Sequence, residues 1–324
     1  MVMAQSLFMD IKQREPDAII DVLAPAWTAA LIDRMPQVRR LVKTGFQHGK
    51  LNLAERYSLA KRLRKTNYTH SIVLPNSIKS ALVPALARIP LRTGFVGEQR
   101  WGLLNDIRRL DKTSLPMTVQ RFISLGNAKE SPLRSIDSIP APSLKIEQAV
   151  VRKVQDEFSL DKGSQALALC PGAEFGASKQ WPLEYYAELA IDYLAKGWQL
   201  WLLGSEKDKL ICDQINQKSG NNCRVLAGKT SLPQAIDVLS MADLVVSNDS
   251  GLMHIAAALQ IPLVAVYGST DPKHTPPLSK NHLVARIDLE CSPCFKRVCP
   301  LNHHNCMQQL QSSAVIELCE KVVQ

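Results

Sequence analysis

No run of apolar residues in this 324-residue chain approaches the ~20 needed to carry a helix across a membrane. The amino end also lacks the basic-then-apolar pattern of a secretory leader, so the expected setting is the cytoplasm. Aromatic residues make up only 6% of the chain, which leaves few rings on which exposed bases could stack. Two phosphate-binding signatures are missing as well. There is no G-x-x-x-x-G-K-[ST] loop, because Gly228-Lys229-Thr230 lacks the upstream glycine, and no G-x-G-x-x-G follows a strand pattern. P-loop and nicotinamide chemistry are weakly supported on that ground. No Ser or Cys nucleophile elbow is visible either.

What the chain does hold is ordinary globular material, 46% hydrophobic and 21% charged, in a length sufficient for two domains. The charge divides unevenly. Residues 1–140 contain 22 Lys and Arg against 11 Asp and Glu, whereas residues 141–324 contain 17 against 19. A basic first half suits a polyanion such as nucleic acid, an anionic membrane surface or a phosphorylated glycolipid. A merely solvated surface accounts for most of these side chains. Of the eight cysteines, Cys291, Cys294, Cys299 and Cys306 form C-x2-C-x4-C-x6-C beside His303 and His304. A C-x-x-C pair can give two thiolates to one zinc ion. The later spacing is not that of a common finger, however, and reduced thiols on a surface loop are the preferred reading. No metal is assigned.

Strand and helix patterns alternate through both halves. Met3, Leu7, Phe8 and Ile11 have helical spacing, so a helix opens the chain ahead of the first strand pattern at 18–23. An α/β domain ordinarily opens with a strand, and one is expected ahead of Met1. Further helices are predicted at 26–35, 53–65, 77–87 and 117–125, with strands at 38–44 and 70–76 and a short one after Ile89. Helix 53–65 carries a basic face of Arg56, Lys61, Arg62, Arg64 and Lys65. The Gly-, Arg- and Trp-rich stretch 89–112 reads as a binding loop. Residues 131–143, with three prolines and four serines, make the best linker. Beyond it, strands at 166–172, 198–205, 223–228, 244–247 and 262–267 alternate with helices at 146–158, 183–196, 208–218, 232–241 and 252–260. The expected architecture is α/β, with doubly wound Rossmann-like domains at 1–140 and 141–311 and a C-terminal helix at 312–324.

The most informative segment is LVVSNDSGLMHIAAALQIPLVAVYG, residues 244–268. Its two short, continuously apolar runs suit strands buried on both faces of a parallel sheet. Between them, Asp249 and Ser250 are good helix-capping types, and Gly251 lets the backbone turn sharply beside a ligand. Leu252 opens the helix and His254 stands one turn in. The first helical N–H groups then point out of the carboxyl end of the sheet, where α/β proteins bind phosphates. An ordinary capped connection would share these features. Two other loops follow strands. PGAEFGASKQWP, 171–182, offers Lys179 as a compact cation for a phosphate. LLGSEKD, 202–208, offers Glu206 as an acceptor for both ribose hydroxyls. A solvent lysine and a glutamate favoured at a helix start are the plain alternatives. Taken together, a cation, a diol acceptor and an anion-binding helix start are what a nucleotide diphosphate requires.

These stretches, with DVLAPAW (21–27), LPNSIKSALVP (74–84), IPLRTGFVGEQRWGLLNDIRRLDK (89–112), LAGKTSL (226–232) and YGSTDPKHTPPLS (267–279), resemble the heptosyltransferases of glycosyltransferase family nine over about residues 1–280. The resemblance implies a GT-B fold, two Rossmann-like domains facing a central cleft. It implies acceptor on the amino half, ADP-heptose on the carboxyl half, and inverting transfer of L-glycero-D-manno-heptose to the first heptose of the lipopolysaccharide inner core, without a cofactor or essential metal. Lys179 would lie near the donor diphosphate, and Glu206, or its rival Asp208, would hold the ribose. Asp249, Ser250, Gly251, Leu252 and His254 would form the donor-binding turn. The basic half thereby gains a partner in the anionic core acceptor, with peripheral contact to the inner membrane, rather than in nucleic acid. Members of the family carry a Gly-Asp loop ahead of the helix that begins here near Met1, and its aspartate is their expected base. No catalytic residue is therefore assigned in this chain, with Glu98 and Asp106 as fallbacks. Another donor or acceptor on the same fold, a donor-binding form without turnover, and a non-enzymatic polyanion binder are the alternative readings.

Overall fold

The computed structural model describes residues 1–46, 50–132, 134–161 and 163–324, so Leu133 of the linker lies outside it. The chain falls into two compact units, Met1 with Met3–Pro140, and Ala141–Gln324 with Val2.

The amino unit holds two parallel sheets. In one, β1 (Ile20–Pro25) pairs with β2 (Val38–Thr44). In the other, β3 (His70–Val73) pairs with β4 (Leu91–Phe95), and β4 with β5 (Asp106–Arg108). Among the described residues β1 has only β2 as a ladder neighbour, and β3 only β4. The opening helix, Ala4–Arg14, buries Leu7 and Phe8 and packs on the helix Thr118–Gly126. Its Asp10 is fully buried between Arg14 and Arg134.

Two expectations change in this unit. The stretch 89–112 holds an irregular loop at 96–105 between β4 and β5, but three of its arginines brace that loop and its neighbours instead of facing solvent. Arg92 donates to the carbonyls of Leu103 and Ile89 at 2.7 and 2.6 Å, and Arg100, only 1% exposed, donates to Pro75 at 2.6 Å and to Phe95. Arg108 donates to the Ser124 carbonyl. The helix Leu53–Arg64 likewise turns two of its cations inward. Arg56 bonds the carbonyls of Leu51 and Lys79 and lies over the Phe46 ring, and Arg64 bonds that of Leu86. A guanidinium group carries five N–H donors and can bridge backbone carbonyls of different segments. Part of the basic charge is thus spent on the fold.

The carboxyl unit is a six-stranded, all-parallel sheet. Its strands are β6 (Ala166–Cys170), β7 (Gln199–Leu202), β8 (Arg224–Val225), β9 (Leu244–Asn248), β10 (Leu263–Val266) and β11 (His282–Ala285), in the order β11-β10-β9-β6-β7-β8. Every residue of β6, β9 and β10 is buried, as helices on both faces require. From the centre the chain winds outward one way through β7 and β8, and the other way through β10 and β11. The loops leaving β6 and β9 consequently diverge over a crevice at the carboxyl ends of these strands. The final helix, Ser312–Val323, belongs to this unit and sets Val315 and Cys319 against β10, β11 and the helix Leu183–Ala195. Strand β11 has no predicted counterpart, because at the sheet edge it is only half buried and its apolar run is short.

Candidate active site

The crevice between β6 and β9 is furnished by the two loops that border it. Strand β9 ends in Asn248, and this buried side chain organises the loop leaving β6. It donates to the Pro171 carbonyl at 2.7 Å and accepts from the Trp181 N–H at 3.2 Å and the Tyr186 hydroxyl at 3.1 Å. Trp181, wholly buried, closes that loop and donates its indole N–H to Leu310 at 2.8 Å. Lys179 lies between these anchors in a short 3-10 turn, Ala177–Lys179. Its ammonium reaches Asp249 Oδ2 at 2.5 Å, stands 4.9 Å from the Phe175 ring centre, and is 12% exposed against 5% for the aspartate. Asp249 also accepts from the Thr270 hydroxyl at 2.7 Å.

Immediately after Asp249 the chain enters the helix Gly251–Ala258. Ser250 is its N-cap and accepts from the Met253 N–H at 3.4 Å, with Ser247 at 3.1 Å steadying the hydroxyl. A side chain at Gly251 would meet nothing within 4 Å, so the first turn lies open to a ligand. Leu252 and His254 are half buried on that turn. Burial pushes the imidazole of His254 down to about 4, which the nearby Asp249 charge only partly offsets. It is neutral at pH 7 and can donate one hydrogen bond and accept another.

Glu206 stands one strand away, at the head of the turn Glu206–Asp208 after β7, exposed and without a hydrogen-bond or ion-pair partner among the described residues. The next residue, Lys207, pairs with Glu174 of the β6 loop at 2.8 Å. The Glu206 carboxylate fills the space beside Gly228, where φ is +73° and a Cβ would come within 2.1 Å of Oε2. Asp208, the rival, accepts from the Ser205 N–H and hydroxyl at 2.8 and 2.7 Å. It is a turn cap, so Glu206 is the free carboxylate.

The structure joins Lys179 to the Asp249–His254 turn directly, whereas the Glu206 carboxylate lies beside Gly228 of the loop after β8 and it is Asp208 that stands against Gly172 of the β6 loop. Sequence reasoning missed Asn248 and Thr270. A polar side chain ending a wholly apolar strand was the available signal for Asn248. Glu98 and Asp106 are not free to act as bases. Glu98 accepts the Ile78 N–H at 2.9 Å. Asp106 is held by Thr93 and Arg108, which against the effect of burial keep its carboxyl below the usual range. Among the described residues no three His, Cys, Asp or Glu side chains stand ready to hold a metal ion.

Residues 56–305 match the model of glycosyltransferase family 9, the heptosyltransferases. The chain belongs to that family. It is 44% identical to lipopolysaccharide heptosyltransferase 2 of Escherichia coli K12 over 295 residues, 89% of this chain and 84% of the relative. It is 43% identical to lipooligosaccharide heptosyltransferase 2 of Haemophilus ducreyi, across 89% of this chain and 85% of that one. The solved structure of E. coli ADP-heptose LPS heptosyltransferase II superposes with a TM-score of 0.86 at 39% identity, covering 100% of this chain and 95% of that one. A second E. coli heptosyltransferase, WaaC, solved with ADP-2-deoxy-2-fluoro heptose, matches in fold with a TM-score of 0.69 at 24% identity, over 99% of this chain and 95% of that one. This family 9 glycosyltransferase accordingly has the α/β, two-unit GT-B fold of the heptosyltransferases.

Proposed function

We propose that this heptosyltransferase takes L-glycero-D-manno-heptose from ADP-heptose and transfers it, with inversion, to the first heptose of the lipopolysaccharide inner core. One observation carries the donor half of the reading. At the order reversal of the carboxyl sheet, Lys179 and the capped helix start at Ser250 border the same crevice. A cation and a helix N-terminus both favour a diphosphate. Glu206 is the ribose acceptor, and neutral His254 and the first-turn N–H groups of Gly251 and Leu252 are the phosphate donors. Asp249 holds Lys179 in place and offers its remaining lone pairs to the sugar. Acceptor recognition falls to the amino unit, where Lys61 and Arg62 are exposed on the same helix as Leu53 and Tyr57. Charge beside apolar surface suits an anionic glycolipid at the inner membrane surface. The spent arginines weigh against a general polyanion binder.

Calorimetry of the full chain with ADP, UDP and ADP-heptose tests the donor. Tight binding of the adenine compounds with little UDP binding is the expected result. Equal affinity for UDP, or no ADP binding, would overturn the reading. A transfer assay with purified core acceptor then identifies the sugar moved.

A further inference from the structure

The donor-binding machinery leaves the four-cysteine loop unused. That loop runs from the end of β11 to the short helix Asn305–Gln308 and is irregular until that helix. Apolar burial does not hold its middle, since Phe295, Val298 and Leu301 are 50%, 68% and 56% exposed. Its cysteines do the opposite. Cys291, Cys294, Cys299 and Cys306 line one small cavity together with Ser178 and Ser269. The Asn302 N–H donates to the Cys299 carbonyl at 3.3 Å, turning the chain back beside the cavity. The two histidines that also line the cavity each have one ring nitrogen in contact with the backbone. His304 Nε2 contacts the Ser178 carbonyl at 3.0 Å, and His303 Nδ1 accepts from the Asn305 N–H at 3.0 Å.

The loop is stitched to the donor site along its length. The Ser178 N–H donates to Arg297 at 3.1 Å and its hydroxyl to Lys296, while the Phe295 N–H donates to Ser269 at 2.7 Å and the Ser292 hydroxyl to Gly268 at 2.6 Å. At Gly176 the two backbones approach so closely that a Cβ would lie 2.3 Å from the Arg297 oxygen. The turn that carries Lys179 therefore rests on the cysteine loop.

We propose that Cys291, Cys294, Cys299 and Cys306 bind one zinc ion, and that this ion fixes the loop on which Lys179 rests. Four sulfurs without a water position make a closed, structural type of site. A long loop with little apolar core of its own is the kind of segment that needs such a staple. Among the described residues the four side chains do not form a ready metal set, so their thiols must re-orient within the cavity they share when the ion binds. Binding replaces the thiol protons, which leave to solvent. This inference stands apart from the identity of the donor.

The test counts zinc by elemental mass spectrometry on the full chain, purified reduced and reconstituted with zinc, beside C291S/C294S and, as a control outside the cluster, C223S. One zinc per chain is expected in the native protein and in C223S, with loss in C291S/C294S. Cobalt in place of zinc should give the visible bands and sulfur-to-metal charge transfer of a tetrahedral tetrathiolate, which reads the native chain should the double variant misfold. Removing zinc from the native protein should lower its melting temperature and weaken ADP binding several-fold. A folded, reduced native chain that takes up no zinc would overturn the proposal. So would undiminished zinc in C291S/C294S, cobalt spectra without thiolate charge transfer, or a melting temperature and ADP affinity indifferent to zinc. A chain that holds zinc in this cluster but never binds ADP would overturn the donor reading and leave the metal site standing.

Discussion

Lys179 and Asp249 are each other's partner in a crevice largely shut off from water. Removing one member of such a pair leaves the other charge buried, a loss of about 3–5 kcal/mol in stability. Lys179→Ala should therefore melt earlier and also lose about 1.5–3 kcal/mol of ADP binding, the scale of a charge-assisted contact. Lys179→Met with Asp249→Asn separates the two effects. Thermal melts should recover in the double variant, and calorimetry should show ADP binding still weak. Native-like ADP affinity in that variant would remove Lys179 from the phosphate site. The carboxylate question is decided in the same way. Glu206→Gln should weaken ADP by about 1–2 kcal/mol and flatten the preference for ADP over 2′-deoxy-ADP while leaving stability alone. Asp208→Asn should instead loosen the turn that it caps, an effect seen in the melt.

Elements matter where their ends or faces are specified. The helix Gly251–Ala258 is only eight residues long, so its start depends on Ser250. Ser250→Ala should cost about 1 kcal/mol of stability, measurable by denaturant unfolding, with weaker ADP binding as the first turn frays. Ser250→Asn, which can cap equally well, should restore stability. The helix Leu53–Arg64 shows that charge count and charge function differ. Arg56 is 7% exposed and serves two carbonyls, whereas Lys61 and Arg62 face solvent. Arg56→Ala should lower the melting temperature. Lys61→Glu with Arg62→Glu should leave the melt unchanged and reduce co-sedimentation with anionic glycolipid vesicles. Equal sedimentation of native protein and double variant would place acceptor contact elsewhere.

On the scale of the whole molecule, the amino unit depends on a link between its two sheets. Asp21 of β1 accepts from Arg39 and Arg40 of β2 at 2.6–2.8 Å and from Tyr68 just before β3. Burial alone would raise its carboxyl, but these donors hold it at about 2, below the ordinary 3.8. A folded-state value below the unfolded one adds stability that is complete above about pH 4 and is lost as pH falls toward 2, on the order of 2 kcal/mol in all. Unfolding of Asp21→Asn should show less pH dependence than the native chain across that window, and identical slopes would deny Asp21 this role. That link joins residues 18 to 47 positions apart, a separation at which sequence pattern carries no contact information. By itself the sequence determined what is local: the alternation of strands and helices, the apolar runs of β6, β9 and β10, and the Asp-Ser-Gly turn that caps a helix. Each depends on residues within a few positions of one another. Tertiary structure alone decided which arginines brace carbonyls and which meet solvent. It also decided that Glu206 and not Asp208 is free, that edge strands β5 and β11 exist, and that four cysteines surround one cavity. Those outcomes turn on distances of a few ångströms between residues far apart in the chain, which side-chain pattern does not encode and folding alone establishes.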